Sequence, residues 1–200
     1  MNSLPDDLFL NVSDVAELDF DYLTELRDQV AVPGLANTTQ ERQVVRRLYV
    51  RMFVTLLEGT IATFKSKVLE HPTNLNECER AVLRDITYDL NDKGDPFERA
   101  LHPPLLSSIK FAFRMLSRAY GLKHKPDYSL KGWQDLQEVL RIRNRLTHPK
   151  TVEQMRVTAA ELKLVDSAEL WFRQSHRELL EQYNGVLSAK LEQLKLRDGA

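Results

Sequence analysis

Apolar residues recur at intervals of three and four along most of the chain, the spacing that gathers side chains onto one face of an α-helix. The clearest stretch opens at Thr38, whose Thr-x-x-Glu capping box with Glu41 predicts a helix to about Glu70 with Val45, Leu48, Met52 and Leu56 on one face. Glu58 is the only acid between Glu41 and Glu70, and Gly59 beside it would permit a close helix approach. A second helix is predicted from Leu105, after Pro103-Pro104, with Leu106, Ile109, Phe113, Leu116 and Tyr120 in register and Gly121 as its C-terminal cap. Ser129 is the expected N-cap of a third, in which Trp133, Leu136 and Leu140 share a face and Val139, Ile142 and Leu146 form a second apolar row. Thr158-x-x-Glu161 opens the last, through Leu164, Ala168, Trp171, Tyr183, Leu187, Leu191 and Leu194. Unbroken to Leu196 it would be about 55 Å long at 1.5 Å per residue, with Asn184-Gly185 the place for a kink.

Shorter patterns fill the gaps. Residues 1–13 read as loosely ordered, Ser13 or Asp14 caps a short helix to about Val30, and Pro33-Gly34 ends it. Asn74 or Asn76 starts a helix to about Leu90, before the polar turn 91–96 and a short helical piece ending at Pro103. No stretch alternates as a strand should. The expected fold class is all-α, an antiparallel helical bundle, because several connections are short. Residues 1–37 read as an acidic N-terminal arm and 38–197 as the bundle.

Composition changes this picture little: 42% hydrophobic and 28% charged residues are ordinary for a globular protein. Arg51 and Glu58 interrupt the best apolar run, well short of the roughly 20 residues a membrane span requires. With no basic region and apolar stretch at the N-terminus, a cytoplasmic protein without membrane partners is expected. Cys78, the only cysteine, excludes an internal disulfide and a multi-cysteine metal site and reads as a packing residue. His71, His102, His124 and His176 lack metal-ligand spacing, so no metal or other cofactor is expected. Charge adds more. Residues 1–30 carry eight acids and one base, a net -7, whereas residues 101–150 carry ten bases and three acids, a net +7. Such a segment suits an anionic partner or an acidic arm lying near it.

The basic segment ends in Arg141-Ile-Arg-Asn-Arg-Leu-Thr-His-Pro-Lys150. Extending the Trp133, Leu136, Leu140 stripe lands on Arg143 and Thr147, which puts a permanent charge where the pattern calls for an apolar residue. Arg141 and Arg145 fall on another face with Gln134 and Glu138, as on a solvated surface. Pro149 biases His148 out of the helix, and that break is what lets the histidine turn towards Arg143. Histidine titrates near neutral pH and can serve as base or acid; arginine offers a forked, permanently charged donor set for a phosphate. RNA cleaved by attack of its own 2′-hydroxyl needs those functions. Lys110, Arg114 and Arg118, every fourth residue, form a cationic line suited to phosphates, extended by Lys123, His124 and Lys125. Arg145 and Lys150 are further candidate RNA contacts.

With seventeen arginines and five histidines, chance alone yields about 0.4 Arg-x4-His matches, so context must carry the motif. In an all-helical chain, Arg143-Asn144-Arg-Leu-Thr-His148 before Pro149 resembles the hallmark of the HEPN family. That resemblance implies a metal-independent endoribonuclease acting as a homodimer whose two motifs meet at the interface. It implies Arg143, Asn144 and His148 as catalytic residues, and an acid on an earlier helix for which Glu58 is the candidate. Many relatives act in toxin–antitoxin or antiviral systems, so an antitoxin or regulatory protein joins RNA among the expected partners. One family variant carries a tyrosine two residues after the histidine as a target for modification; here Lys150 stands there. Two other readings compete: a non-catalytic RNA- or nucleotide-binding module, and a helical protein-interaction adaptor. In a purely structural reading, Arg143 pairs with a carboxylate inside the bundle and His148 caps a helix.

Overall fold

In the computed structural model, the described residues are 20–28, 39–71 and 74–198. Most are helical. Helix α1 covers residues 20–28, followed by α2 (Thr39–Glu70), α3 (Glu77–Leu83), β1 (Ile86–Leu90), β2 (Pro96–Ala100), α4 (Leu105–Tyr120), α5 (Lys131–Thr147) and α6 (Ala159–Asp198). A single 3-10 turn, Glu153–Met155, precedes α6. They fall into two compact units, Met1–Thr60 with Tyr128–Arg173, and Ile61–Asp127 with Gln174–Ala200.

The first unit buries Leu23 of α1, Tyr49, Phe53 and Leu57 of α2, Leu136, Val139 and Leu146 of α5, and Val165, Ala168 and Phe172 of α6. Of the expected α2 face only Leu56 is buried: Leu48 is exposed, Val45 and Met52 are half-buried, and the core stripe runs one residue later through Tyr49, Phe53 and Leu57. With apolar residues on several faces, periodicity alone could not choose the one that faces the core. The Thr38 capping box, residues 1–19 and the Pro33-Gly34 turn lie outside the described residues. Helix α5 starts after Leu130, not Ser129, and no side chain caps it; the Ser129 carbonyl instead accepts the Gln134 amide at 3.2 Å. The close helix approach occurs at Gly132, where a Cβ would stand 2.3 Å from Trp171 Cβ, and not at Gly59, whose Cβ would meet nothing.

A buried polar network ties α1, α2 and α6. The Tyr49 hydroxyl bridges Asp166 Oδ1 (2.8 Å) and Glu169 Oε2 (2.7 Å). Burial, and next the Glu169 charge, push its ionisation far up. Arg173 donates to Glu169 Oε1 at 2.6 Å and to the Phe20 carbonyl at 3.3 Å, with its guanidinium over the Phe20 ring.

The second unit corrects the pattern reading most. Asn76 closes a full capping box with Glu79, but α3 ends at Leu83, and residues 86–100 form an antiparallel ribbon where helix was expected. Asp85 makes the switch: its φ of 54° leaves the helical region, its carbonyl accepts the Leu101 N–H at 2.8 Å, and its carboxylate meets buried Lys65 at 2.5 Å. The turn Asn91–Asp95 is a hairpin turn, with Asn91 Oδ1 accepting from the Lys93 and Asp95 amides and Gly94 at φ 83°. Cys78 is exposed, because the short α3 buries only Leu83. Helix α4 is as expected, with Ile109, Phe113 and Leu116 buried and Gly121 a left-handed cap at φ 66°. The Thr158–Glu161 capping box stands, and α6 continues through Asn184-Gly185 without a break. The side chains of Leu191 and Leu194 lie outside the described residues.

Candidate functional site

The Arg143 anomaly resolves through the path of α5. Trp133 and Leu136 are buried, Leu140 is half-buried, and the Arg143 side chain is 36% exposed, so the stripe climbs out of the core before the charge arrives. The row that stays buried is the other one, Val139, Ile142 and Leu146. An arginine at the margin keeps its stem on apolar neighbours and its head in water.

Arg143 Nη2 donates to Glu58 Oε1 at 2.9 Å, and Nη1 to Asn144 Oδ1 at 3.3 Å. Glu58, the candidate acid on an earlier helix, is exposed and has Arg143 as its ion-pair partner. The Asn144 carbonyl accepts the His148 N–H at 3.0 Å, and the Thr147 hydroxyl donates to the Arg143 carbonyl at 2.9 Å. Helix α5 ends at Thr147, and His148 at φ -125°, ψ 58° stands outside the α region, which the following proline disfavours. His148 is exposed. The structure thus gathers Glu58, Arg143 and Asn144, with His148 one helical turn further on. The Asn144 side chain contacts the arginine, and only its backbone holds the histidine.

The segment after His148 has little secondary structure, and side chains satisfy its carbonyls. Arg145, expected on a solvated face, is half-buried: it donates to Gln154 O (2.7 Å), Arg156 O (2.9 Å) and Glu161 Oε1 (2.7 Å). Those bonds make it a loop anchor rather than a free RNA contact. Lys150 is exposed, with its backbone N–H on Gln154 Oε1. From α2, Gln43 and Arg46 donate to Val157 O, each at 3.0 Å, Arg47 to Met155 O at 3.3 Å, and Arg51 to Leu146 O at 3.0 Å. Leu146 O belongs to the last turn of α5, where carbonyls lack helical partners. The sequence reading passed over these α2 residues, although Arg42–Arg51 holds four arginines and no acid.

Lys110, Arg114 and Arg118 belong to the other unit, and their line is not uniformly available. Arg118 forms a forked pair with Glu79 at 2.6 and 2.7 Å, and that bonding holds the Glu79 carboxyl down at about 2. Arg114 lies over the Phe111 ring at 5.6 Å. Lys123 and Lys125 are exposed, but His124 between them turns inward, and burial pushes its pKa down against the pull of Glu178. It adds nothing to the positive surface near neutral pH.

Among the described residues no helix is long and apolar enough to cross a membrane. No family model, curated protein or solved structure matches the chain, so the chemistry of the site rests on these residues.

Proposed function

We propose that the chain is an endoribonuclease of the HEPN kind, cleaving RNA without a metal, in a homodimer that brings two copies of the motif together. The observation carrying this reading is the grouping of Glu58, Arg143 and Asn144 at an exposed helix end that His148 terminates. Arg143 is held by a half-exposed ion pair, the kind worth about 0–1 kcal/mol, and by a 3.3 Å hydrogen bond to Asn144. A phosphate offering a forked, charge-assisted contact competes readily for it. In the proposed reaction one histidine takes the proton of the ribose 2′-hydroxyl, whose oxygen attacks the adjacent phosphorus. The P–O5′ bond breaks as a second histidine protonates the leaving oxygen, giving a 2′,3′-cyclic phosphate and a 5′-hydroxyl end. Arg143 offsets the charge that builds on the non-bridging oxygens. One chain supplies one such histidine, and a twofold pair supplies both. The exposed stripe of α2 beside the motif, with Val44 and Leu48, offers apolar area to a second copy.

The test is cleavage of labelled single-stranded RNA in excess EDTA by the wild type, Arg143→Ala and His148→Ala, with light scattering to follow dimerisation. Loss of cleavage in both variants with dimers intact, and cyclic phosphate on wild-type products, is the expected result. A His148→Ala protein that folds, dimerises and cleaves at the wild-type rate would end the catalytic assignment. A second reading, a protein-interaction adaptor, draws on the ribbon, where Tyr88, Leu90 and Phe97 are exposed. It calls for a stable protein complex that ignores substitution of Arg143.

A further inference from the structure

Helix α2 carries Arg42, Arg46, Arg47 and Arg51, with no acid between Glu41 and Glu58. Among the described residues, Arg118, Arg141, Arg143, Arg145 and Arg173 each meet a carboxylate. Arg46, Arg47 and Arg51 meet backbone carbonyls, at Val157, Met155 and Leu146. A carbonyl accepts a hydrogen bond but brings no counter-charge, and among the described residues no carboxylate is paired with these guanidinium groups, which stand at a half-exposed or exposed surface. Holding the loop does not require charge. The neutral amide of Gln43 already donates to Val157 O at 3.0 Å, the same carbonyl that Arg46 holds. The loop itself adds Lys150 and Arg156 against Glu153. The α2 aromatics Tyr49, Phe53 and Phe64 are buried, so α2 itself offers no ring to stack with a base. Arg51 reaches the α5 turn that leads directly into His148.

We propose that Arg46, Arg47 and Arg51 form a track for the phosphodiester backbone of single-stranded RNA beside the motif, indifferent to base sequence. The proposal rests on the ribonuclease reading of His148. Each arginine uses part of its fork on a carbonyl and presents the rest to a phosphate. This places the RNA contacts on α2, in the same unit as the motif, rather than on the expected α4 line.

The test measures binding of a labelled unstructured RNA by fluorescence anisotropy across a salt series, in the His148→Ala protein so that nothing is cut. Three forms are compared: the parent, Arg46, Arg47 and Arg51 all changed to Gln, and the same three changed to Lys. Gln removes charge but can still donate to a carbonyl; Lys keeps the charge. Each lost phosphate contact should lower the slope of log affinity against log salt by about 0.7, so the Gln form should fall by about 2 while the Lys form keeps the parent slope. Arg51→Gln alone, at the most exposed position, should lose about 0.7 and serves if the triple variant fails to fold. A parent slope in the Gln forms overturns the track, as does binding to anionic phospholipid vesicles without binding to RNA. If the wild type cleaves yet the Gln slopes are unchanged, the track falls and the nuclease reading stands. If RNA binds with the expected slopes but is never cut, the track stands and the nuclease reading falls.

Discussion

His176 should make this protein sensitive to mild acid. Its side chain is buried on α6, stacked on Phe64 with ring centroids 5.7 Å apart and planes 10° from parallel. Burial pushes its pKa from 6.5 to about 4. In the unfolded chain the imidazole takes up a proton near 6.5, whereas in the fold it stays neutral until about 4. The folded state is therefore favoured fully above 6.5, loses ground as pH falls, and stops losing below about 4. At about 1.36 kcal/mol per pH unit the whole loss is about 3 kcal/mol, of which about 2 kcal/mol is gone by pH 5. Against a typical stability of about 5–15 kcal/mol this is a large fraction. The assay is urea unfolding of the wild type and His176→Leu at a series of pH values from about 7.5 to 4.5, each protein referred to its own stability at the highest pH. The wild type should lose about 2 kcal/mol more than the variant by pH 5, whatever the substitution costs at neutral pH. His124, lowered by burial, acts in the same direction and remains in both proteins. Parallel pH profiles would show that His176 is protonated in the fold and refute the argument.

Three further outcomes follow from contacts already described. Gly132→Ala places a methyl 2.3 Å from Trp171 Cβ and 2.8 Å from the Ser167 carbonyl; it should cost about 1–3 kcal/mol or more and lower Tm by several degrees in a thermal melt. Tyr49→Phe removes the hydroxyl between Asp166 and Glu169, and denaturant titration should show a loss of about 1–3 kcal/mol, because buried Glu169 loses a donor. Glu58→Gln should change stability by less than about 1 kcal/mol while tightening RNA binding through a released Arg143, and an unchanged anisotropy titration would count against Arg143 as a phosphate ligand.

The helical class, α4 with its glycine cap, a helix start at Asn74 or Asn76, the Thr158 capping box and the end of α5 at His148 were all legible from residue spacing. Each depends on neighbours a few residues apart, which is the range over which caps and helical periodicity act. The ribbon was not legible. Ile86 to Leu90 became a strand because Asp85 adopts a left-handed conformation, pairs with Lys65 twenty residues earlier and accepts from Leu101 beyond the hairpin. Which stripe of α2 faces the core was also beyond local reading, since apolar residues occupy several faces and only packing selects among them.

The candidate site divides the same way. Sequence alone determined that a helix closes on Arg143, Asn144 and His148 before a proline. Only the tertiary structure decided that Glu58 is the arginine's partner, 85 positions away, and that Arg118 is committed to Glu79. It also brought the α2 arginines to carbonyls about 95–111 positions distant, with no carboxylate paired to them among the described residues. Spacing along a helix reports what one face carries; which charges cancel and which survive depends on what the fold sets opposite them.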